Sequence, residues 1–212
     1  MKTALIAGAT GLIGGQLLDL LLASDQYVSV IAWTRKDLAH HKKLVQLKMT
    51  EGSPPVLNAT LEVDDVFCCL GTTMAKARSK EKFYQVDFTY PLLLGKAGVD
   101  HRAKKFLLVS ALGANKHAPV YYNRVKGEIE DAIKKLEYDA VHIFQPSLLL
   151  GPREEKRSAE DAAKFFYKFF GFFIPKKYKA IESIKVARAM LHFASDIKSG
   201  TFIHESMELQ KF

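Results

Sequence analysis

A tyrosine and a lysine four residues apart offer proton-transfer chemistry near the middle of the chain. Their spacing in the segment 122–126 places Tyr122 and Lys126 on one face of a helix. A phenol with its reference pKa of about 10 is a poor acid–base group at neutral pH, but a nearby ammonium favours the phenolate. Tyr121 lacks such a partner, because Val125 lies four residues after it. The pattern therefore indicates Tyr122 as a general acid or base and Lys126 as the group that tunes it.

A serine upstream adds a group that could orient a substrate. Ser110 closes an apolar run that is typical of a buried strand, and a hydroxyl there can hydrogen-bond a carbonyl oxygen beside Tyr122. A serine at a strand end is common, and so is a helical lysine that forms a surface ion pair. The three residues in this order, after the glycine motif described next, favour catalysis over those alternatives.

Three glycines near the start of the chain predict a phosphate site. Gly8, Gly11 and Gly14 follow the apolar run 4–7 and precede the helix-like run 17–22. In that context Gly8 would allow a tight turn, Gly11 a close approach of the backbone, and Gly14 close packing of helix on strand. The helix N-terminus would offer free N–H groups to a pyrophosphate. The alternative is a glycine-rich turn without a ligand.

The end of the second predicted strand indicates which dinucleotide is bound. Dinucleotide folds specific for NAD place an acidic residue there for the ribose 2′-hydroxyl. This chain instead has Thr34, Arg35 and Lys36, with no carboxylate before Asp37. Arginine can bind a 2′-phosphate through two parallel charged hydrogen bonds. The expected cofactor is therefore NADP(H), and the alternative is an exposed Arg-Lys pair with no ligand.

Strands and helices alternate along the first 145 residues. This alternation predicts an α/β fold, a Rossmann-type doubly wound parallel sheet, with the chemical residues on the loops along one edge. We expect a dinucleotide-binding domain at 1–150 and a small C-terminal helical lobe at 151–212 that covers the substrate side. The predicted strands are 4–7, 27–33, 44–49, 65–70, 105–110 and 139–144, and the predicted helices include 80–98, 121–136, 158–170 and 182–195.

Composition narrows the class of protein. The 212 residues are 48% hydrophobic and 25% charged, as in an ordinary globular protein. Cys68 and Cys69 are adjacent in an apolar strand, so we expect buried thiols, a reducing cytoplasmic location and neither a disulfide nor a metal site. The chain enters a strand at once, leaving no room for a signal peptide, and has no apolar run long enough to span a membrane. The net charge of +8 is dispersed, so nucleic-acid binding is not expected.

Seven aromatic rings crowd into the segment 165–173. An amphipathic helix packed on the sheet explains most of them. The remaining rings could line an apolar substrate pocket or form a subunit contact.

Together these motifs resemble the atypical or extended short-chain dehydrogenases/reductases. More narrowly, several segments resemble the Tat-interacting oxidoreductase subfamily and its bacterial relatives: 67–73, 109–114, 122–128, 164–171 and 186–190. The resemblance covers most of the chain. One departure is that the family often has an asparagine on the helix before the tyrosine, whereas the segment 85–87 reads Gln-Val-Asp.

The resemblance implies roles by position. Ser110, Tyr122 and Lys126 would be catalytic, Arg35 would hold the 2′-phosphate, and Lys126 would also bind the cofactor ribose. The remaining positions for the cofactor are those around the pyrophosphate (Gly8, Thr10, Gly11, Leu12, Ile13 and Gly14), the adenine-ribose side (Leu70 and Gly71) and the nicotinamide (Pro146, Leu148 and Leu149).

The sequence thus predicts an NADPH-dependent carbonyl reductase acting on a small molecule. The alternative from another class is an NADP(H)-binding regulatory or scaffold protein with little turnover, which would act through a protein partner or a homodimer. A sugar-nucleotide epimerase is a third reading. Arg35 disfavours it, because such enzymes hold NAD, and the C-terminal segment is short for a nucleotide-sugar site.

Overall fold

The computed structural model describes residues 1–50, 57, 61–151 and 179–212, and the elements below lie in these ranges. Strands and helices alternate through most of them. The strands are β1 Lys2–Ala7, β2 Tyr27–Thr34, β3 Leu44–Lys48, β4 Asp65–Cys68, β5 Lys105–Val109, β6 Ala140–Gln145, β7 Leu149–Leu150, β8 Ile181–Glu182 and β9 Gly200–Glu205. The helices are α1 Leu12–Ala23, α2 Met74–Ala77, α3 Lys80–Tyr84, α4 Tyr90–Asp100, α5 Tyr121–Ile133, α6 Ser183–Ala194 and α7 Ser206–Leu209.

Seven of these strands form one parallel sheet in the order β3-β2-β1-β4-β5-β6-β9, and β7 pairs with β8 separately. The chain winds from β1 to β2 and β3 on one side, then returns to place β4 on the other side of β1. In such a sheet the crevice at the carboxyl ends of the two strands flanking this reversal is where ligands bind. The predicted doubly wound Rossmann-type sheet is confirmed.

Alternate residues of β1 face two separate apolar cores. Ala4 and Ile6 lie in the core that also contains residues of α1 and α6, whereas Leu5 and Ala7 lie in the core beneath α4 and α5. All four side chains are fully buried. Because both faces are covered by helices, the strand is a continuous apolar run rather than an alternating one.

The predicted helix 80–98 is divided by a π-helical turn. α3 passes into Gln85–Thr89, which has π-helical hydrogen bonding, and α4 follows with Pro91 in its first turn. Proline is tolerated there because the first N–H groups of a helix have no intrahelical partner. The π turn includes Asp87, whose side chain is completely buried. The spacing of apolar residues in an α-helix, 3.6 residues per turn, gives no indication of a π-helical turn at this point.

The C-terminal segment adds a strand that the sequence did not predict. α6 matches the predicted helix 182–195, but Gly200–Glu205 forms β9 at the edge of the main sheet beside β6. The sequence predicted helices in this segment and no strand, so β9 is an element that it missed. As an edge strand β9 is largely exposed and lacks the apolar run that marks the inner strands. The predicted helix 158–170 and the aromatic segment 165–173 lie outside the described residues.

Strand β9 brings two histidines together in the interior. Nδ1 of His142 on β6 lies 3.0 Å from Nε2 of His204 on β9, and both side chains are buried. Nδ1 of His204 is 3.1 Å from an oxygen of Glu208. Burial is the main cause that lowers the pKa of His142, to about 4, and burial also lowers that of His204. The pair is therefore neutral near pH 7 and ties the edge strand to the sheet.

Candidate active site

The glycine turn joins β1 to α1 at the reversal of the sheet. Gly8 has a φ of +88°, and the Gly11 N–H donates to its carbonyl oxygen at 2.9 Å. A Cβ on Gly8 would lie 2.5 Å from the backbone of Cys69, and a Cβ on Gly14 would lie 2.1 Å from the Gly8 oxygen. Both positions therefore exclude any side chain.

The N-terminus of α1 remains open to a ligand. Gly11 occupies the N-cap position, so no side chain caps the helix, and its first turn carries no acidic residue. A twelve-residue helix with uncapped N–H groups favours an anion at that end. The predicted pyrophosphate residues Thr10, Leu12 and Ile13 all lie in or beside this turn.

The end of β2 presents cationic side chains to solvent. Arg35 and Lys36 are exposed, and within the described part of the chain Arg35 has no hydrogen bond or ion pair. Asp37, the first carboxylate after the strand, pairs with Lys48 at 2.5 Å. The hydrogen bond and the charge of Lys48 lower the pKa of Asp37. The Asp37 carboxylate is thus engaged by Lys48 and is not paired with Arg35 in the described structure.

Lys126 of α5 and Asp87 of the π turn form a buried ion pair. Nζ of Lys126 is 2.7 Å from Oδ1 of Asp87, and both side chains are at least 95% buried. Oδ2 of Asp87 accepts the Thr72 N–H at 2.9 Å. Burial by itself would lower the pKa of Lys126, but attraction by Asp87 and Tyr122 and the hydrogen bond to Asp87 outweigh it, so the pKa is raised. Lys126 therefore carries a positive charge inside the protein.

Gly71 is the point where this pair approaches the loop that follows β4. A Cβ placed on Gly71 would lie 3.5 Å from Oδ1 of Asp87 and 3.6 Å from Nζ of Lys126. A Cβ on Gly8 would lie 2.9 Å from the Leu70 nitrogen. The structure thus brings the glycine turn, the loop 70–71 and Lys126 to one edge of the sheet.

The two adjacent tyrosines of α5 differ in their contacts. The Tyr121 hydroxyl donates to the Lys80 carbonyl oxygen at 3.1 Å, which directs this side chain to α3. Tyr122 packs on Phe83 with 5.7 Å between ring centroids. Among the described residues none hydrogen-bonds the Tyr122 hydroxyl. Lys126 lies one turn further along α5, and Tyr122 is one of the groups whose charge raises the pKa of Lys126.

Ser110 is held by a different partner from the one expected. Its Oγ lies 2.5 Å from Oε1 of Glu130 on α5, and Gln145 on β6 donates to the same oxygen at 2.9 Å. All three side chains are buried. Ser110 has no hydrogen bond to Tyr122 in the described structure. Ser110 thus contacts α5 at Glu130, two turns beyond Tyr122, and the described part of the structure shows no direct link between the serine and the tyrosine.

The segment after β6 passes over the same edge. The carbonyl oxygen of Pro146 accepts the Leu112 N–H at 3.0 Å, and that of Leu148 accepts the Ile181 N–H at 2.9 Å. A Cβ on Gly151 would lie 2.7 Å from a methyl carbon of Leu12 in the first turn of α1. The predicted nicotinamide segment, which includes Leu149, thus leads back to the glycine turn.

Sequence reasoning missed the two buried carboxylates of this site. In the sequence Asp87 appears only as a departure from an expected asparagine, and no motif includes Glu130. The spacing Tyr122-Lys126-Glu130, four residues at each step, was available as a signal for Glu130. Nothing in the sequence around Asp87 indicated a π turn that would direct it at Lys126.

With this geometry described, the chain can be compared with known proteins. Residues 4–121 match the family described as the NAD dependent epimerase/dehydratase family. The chain belongs to the NAD-dependent epimerase/dehydratase family. Within the wider short-chain dehydrogenase/reductase superfamily it is an atypical member, as the sequence predicted. Family membership supports an NAD(P)-dependent oxidoreductase type of enzyme without specifying the reaction.

Curated relatives extend the match beyond the family segment. The chain is 33% identical over 174 residues to protein fmp52, mitochondrial, of Emericella nidulans, covering 78% of this chain and 75% of that protein. It is 32% identical over 202 residues to protein HTATIP2 of Rattus norvegicus, covering 90% and 80%. A solved structure of human epimerase family protein SDR39U1 with NADPH has a TM-score of 0.64 at 16% identity, covering 96% and 74%, and shares the fold.

The comparisons correct the expected location. Several curated fungal relatives are named mitochondrial, which points away from the cytoplasmic location predicted from the sequence. That prediction rested on two unpaired cysteines, which indicate a reducing environment but do not distinguish one such compartment from another.

The described residues were also considered as a possible metal site and as a possible membrane span. Over residues 1–50, 61–151 and 179–212, no group of three or more His, Cys, Asp or Glu side chains could hold a metal ion. In the same part of the chain, none of the helices combines the length and apolar character of a membrane span.

Proposed function

We propose that this protein is an NADPH-dependent oxidoreductase that reduces a carbonyl compound. The observation that carries the proposal is that Tyr122 and the buried cation Lys126 lie one turn apart on α5, with Lys126 beside the loop that follows β4. No described residue hydrogen-bonds the Tyr122 hydroxyl. A proton donor next to a fixed positive charge, at the ligand-binding edge of a doubly wound sheet, suits the reduction of a polar double bond.

The residues at this edge fit a dinucleotide phosphate. Gly8 and Gly14 allow the turn to pack so closely on its own backbone and on Cys69 that any Cβ would clash, and the uncapped N-terminus of α1 that follows suits the pyrophosphate. Arg35, which has no partner among the described residues, could bind the 2′-phosphate bidentately. Solved structures that share the fold hold NAD, as in MoeE5, or NADPH, as in SDR39U1, so the choice of NADPH here rests on Arg35. When bound, the reduced cofactor supplies a hydride to the carbonyl carbon.

The chain's own residues would then complete the reduction. Tyr122 donates its hydroxyl proton to the carbonyl oxygen as negative charge develops there. Lys126 stabilises the resulting phenolate through its positive charge, and it also lies where it could bind the cofactor ribose through the gap at Gly71. Ser110 would hydrogen-bond the substrate oxygen, and Pro146, Leu148 and Leu149 would flank the nicotinamide.

One observation favours a second candidate, an NADP(H)-binding regulatory protein that acts through a protein partner or a homodimer. Ser110 is bonded to Glu130 rather than aligned with Tyr122. A site whose serine is engaged elsewhere could bind the cofactor without efficient turnover. Turnover that depends on Tyr122 separates the two candidates.

The proposal is tested by NADPH oxidation across a panel of aldehydes, ketones and quinones. Wild type is compared with Tyr122→Phe and with the matched control Tyr121→Phe, and NADPH binding is measured for all three. We expect Tyr122→Phe to lose about 100-fold or more in kcat while still binding NADPH. Tight NADPH binding without turnover of any compound, or equal activity of all three proteins, would contradict the proposal.

A further inference from the structure

The buried carboxyl of Glu130 has no assigned role in the chemistry described so far. It lies on α5 one turn beyond Lys126, yet Lys126 pairs with Asp87 and not with Glu130. In the described structure Glu130 forms no ion pair, and its Oε1 is occupied by Ser110 and Gln145. Only 4% of the residue is exposed. A carboxyl group buried without a cation on it usually requires either protonation or good hydrogen bonds.

The serine hydroxyl has a single proton to donate. When Glu130 is ionised it can only accept, so the Ser110 proton points to Oε1 and the Ser110 oxygen can only accept from other groups. When Glu130 is protonated, its O–H can donate to Ser110 Oγ instead. The Ser110 proton is then free to turn toward a substrate oxygen. The 2.5 Å distance between the two oxygens suits either arrangement.

We propose that Glu130 is a positioning residue whose proton decides whether Ser110 donates to the substrate or accepts from it. With the acid form of Glu130, Ser110 donates to the carbonyl oxygen, as reduction requires. With the ionised form, Ser110 can only accept, as it would from the hydroxyl of an alcohol. This role in turnover rests on the proposed carbonyl reduction. The hydrogen bond between Glu130 and Ser110 is seen in the structure and does not depend on that proposal.

The surroundings of Glu130 make both forms accessible. Burial is the main influence and raises the pKa of Glu130, while the hydrogen bonds from Ser110 on β5 and Gln145 on β6 lower it. Lys134 and Lys126 also lower it, and the net direction is upward. The acid form therefore persists to a higher pH than for an ordinary glutamate. Carbonyl reduction should decline as the pH rises through this pKa, because the donor form of Ser110 is then lost.

The first test needs no substrate. Titration of the ¹³C-labelled glutamate carboxyl groups by NMR gives the pKa of Glu130 in wild type and in Ser110→Ala, with exposed Glu137 as an internal control. Removing a hydrogen bond that favours the ionised form should raise the pKa of Glu130 by about 1 unit and leave Glu137 unchanged. An unchanged pKa of Glu130 would overturn the proposed bond.

The second test uses a carbonyl substrate from the panel. Glu130→Gln keeps an acceptor for Gln145 and a permanent donor for Ser110, so its kcat should stay within about threefold of the acid-side wild-type value and lose the alkaline decline. Glu137→Gln should retain the wild-type pH profile. Unfolding temperature and NADPH binding are checked for each variant.

The outcomes separate the inference from the proposed function. Coincident pH profiles of wild type and Glu130→Gln would overturn the role of Glu130 while leaving carbonyl reduction in place. If wild type reduces no carbonyl, the proposed function and this role in turnover both fail, and the NMR titration still decides whether Glu130 holds Ser110. If Glu130→Gln does not fold, the Ser110→Ala titration remains decisive for the bond.

Discussion

Each edge of the sheet buries an aspartate beside a lysine, and the two pairs differ in what surrounds them. At the amino edge, Lys2 Nζ lies 2.9 Å from Asp65 and also donates to the Ala194 carbonyl at 3.0 Å. The Tyr27 hydroxyl donates to the same Asp65 oxygen at 2.7 Å. At the carboxyl edge, the Lys126–Asp87 pair is still more buried, yet the nearby Tyr122 hydroxyl has no partner in the described chain.

The two lysine–aspartate pairs are alike in charge, but the tyrosines beside them have different surroundings. The tyrosine at the amino edge is fixed on a carboxylate, and burial followed by the charge of Asp65 raises its pKa, so it keeps its proton. The tyrosine at the carboxyl edge is near a cation instead. Under the proposed function, this cation stabilises the phenolate that forms during turnover. We therefore propose that the amino edge contributes stability and the carboxyl edge the chemistry.

Removing each lysine should give the largest difference between the two edges in kcat. Lys126→Met removes the charge that stabilises the phenolate, so kcat measured at saturating NADPH should fall about 100-fold to 1,000-fold. Lys2→Met should leave kcat within about twofold and lower only the free energy of unfolding, because exposed or half-exposed pairs contribute about 1 kcal/mol or less. Equal kinetic losses in the two variants would show that the edges do not differ in role.

Removing each aspartate tests the same contrast through stability and pH. Asp87→Asn leaves a buried ammonium without its counterion and should cost about 3 kcal/mol in the free energy of unfolding. Asp87 raises the pKa of Lys126, so its loss should bring deprotonation of Lys126 to lower pH and add a second decline of kcat, separate from the one assigned to Glu130. Asp65→Asn should destabilise the fold without moving the pH profile. Urea unfolding and kcat-against-pH curves measure both effects, and an unmoved profile in Asp87→Asn would contradict the coupling.

The cofactor preference of the carboxyl edge should depend on Arg35. Arg35→Ala should cost about 1.5–3 kcal/mol of NADPH affinity and little NADH affinity, because only NADPH carries the 2′-phosphate. Calorimetric titration with both cofactors measures the two effects, and Lys42→Ala serves as a charge-matched control in the same exposed loop. Equal losses for NADPH and NADH would show that Arg35 does not bind the 2′-phosphate.

Two adjacent glycines of α1, Gly14 and Gly15, provide a matched pair of substitutions at the glycine turn. A Cβ on Gly14 would meet the Gly8 oxygen at 2.1 Å, whereas a Cβ on the neighbouring Gly15 would meet Ala9 only at 3.4 Å. Gly14→Ala should therefore weaken NADPH binding by about 1–3 kcal/mol, and Gly15→Ala should not. The same titrations provide the measurement. Similar binding by both variants would argue against a phosphate site at this turn.

How far the sequence predicted these features depends on how local each one is. The glycine turn, the helix that carries Tyr122 and Lys126, and the inner strands are encoded in short segments, and the structure has them within a few residues of the predicted bounds. The strand β9 pairs with β6 on one side only and is largely exposed, so it carries no apolar run that the sequence could reveal.

The carboxylates of the candidate site were beyond a reading of local patterns. Asp87 reaches Lys126 because a π turn rotates it inward, and Glu130 meets Ser110 and Gln145 across two strands. These contacts join residues 15 to 39 positions apart and arise only when the sheet and helices pack. Periodicity predicts which face of α5 is buried but not which polar groups meet beneath it.

The most direct measurement is whether deuterium at C4 of the nicotinamide of NADPH is transferred to the product. Two samples of NADPH are used, each labelled at one of the two C4 hydrogen positions. Wild-type protein is given a carbonyl compound that it turns over, and the product is analysed by mass spectrometry and NMR. The account predicts that one labelled form transfers its deuterium to the carbinol carbon, in step with NADPH oxidation. Product without the label, or substrate isomerised with no net oxidation of NADPH, would contradict carbonyl reduction at this site.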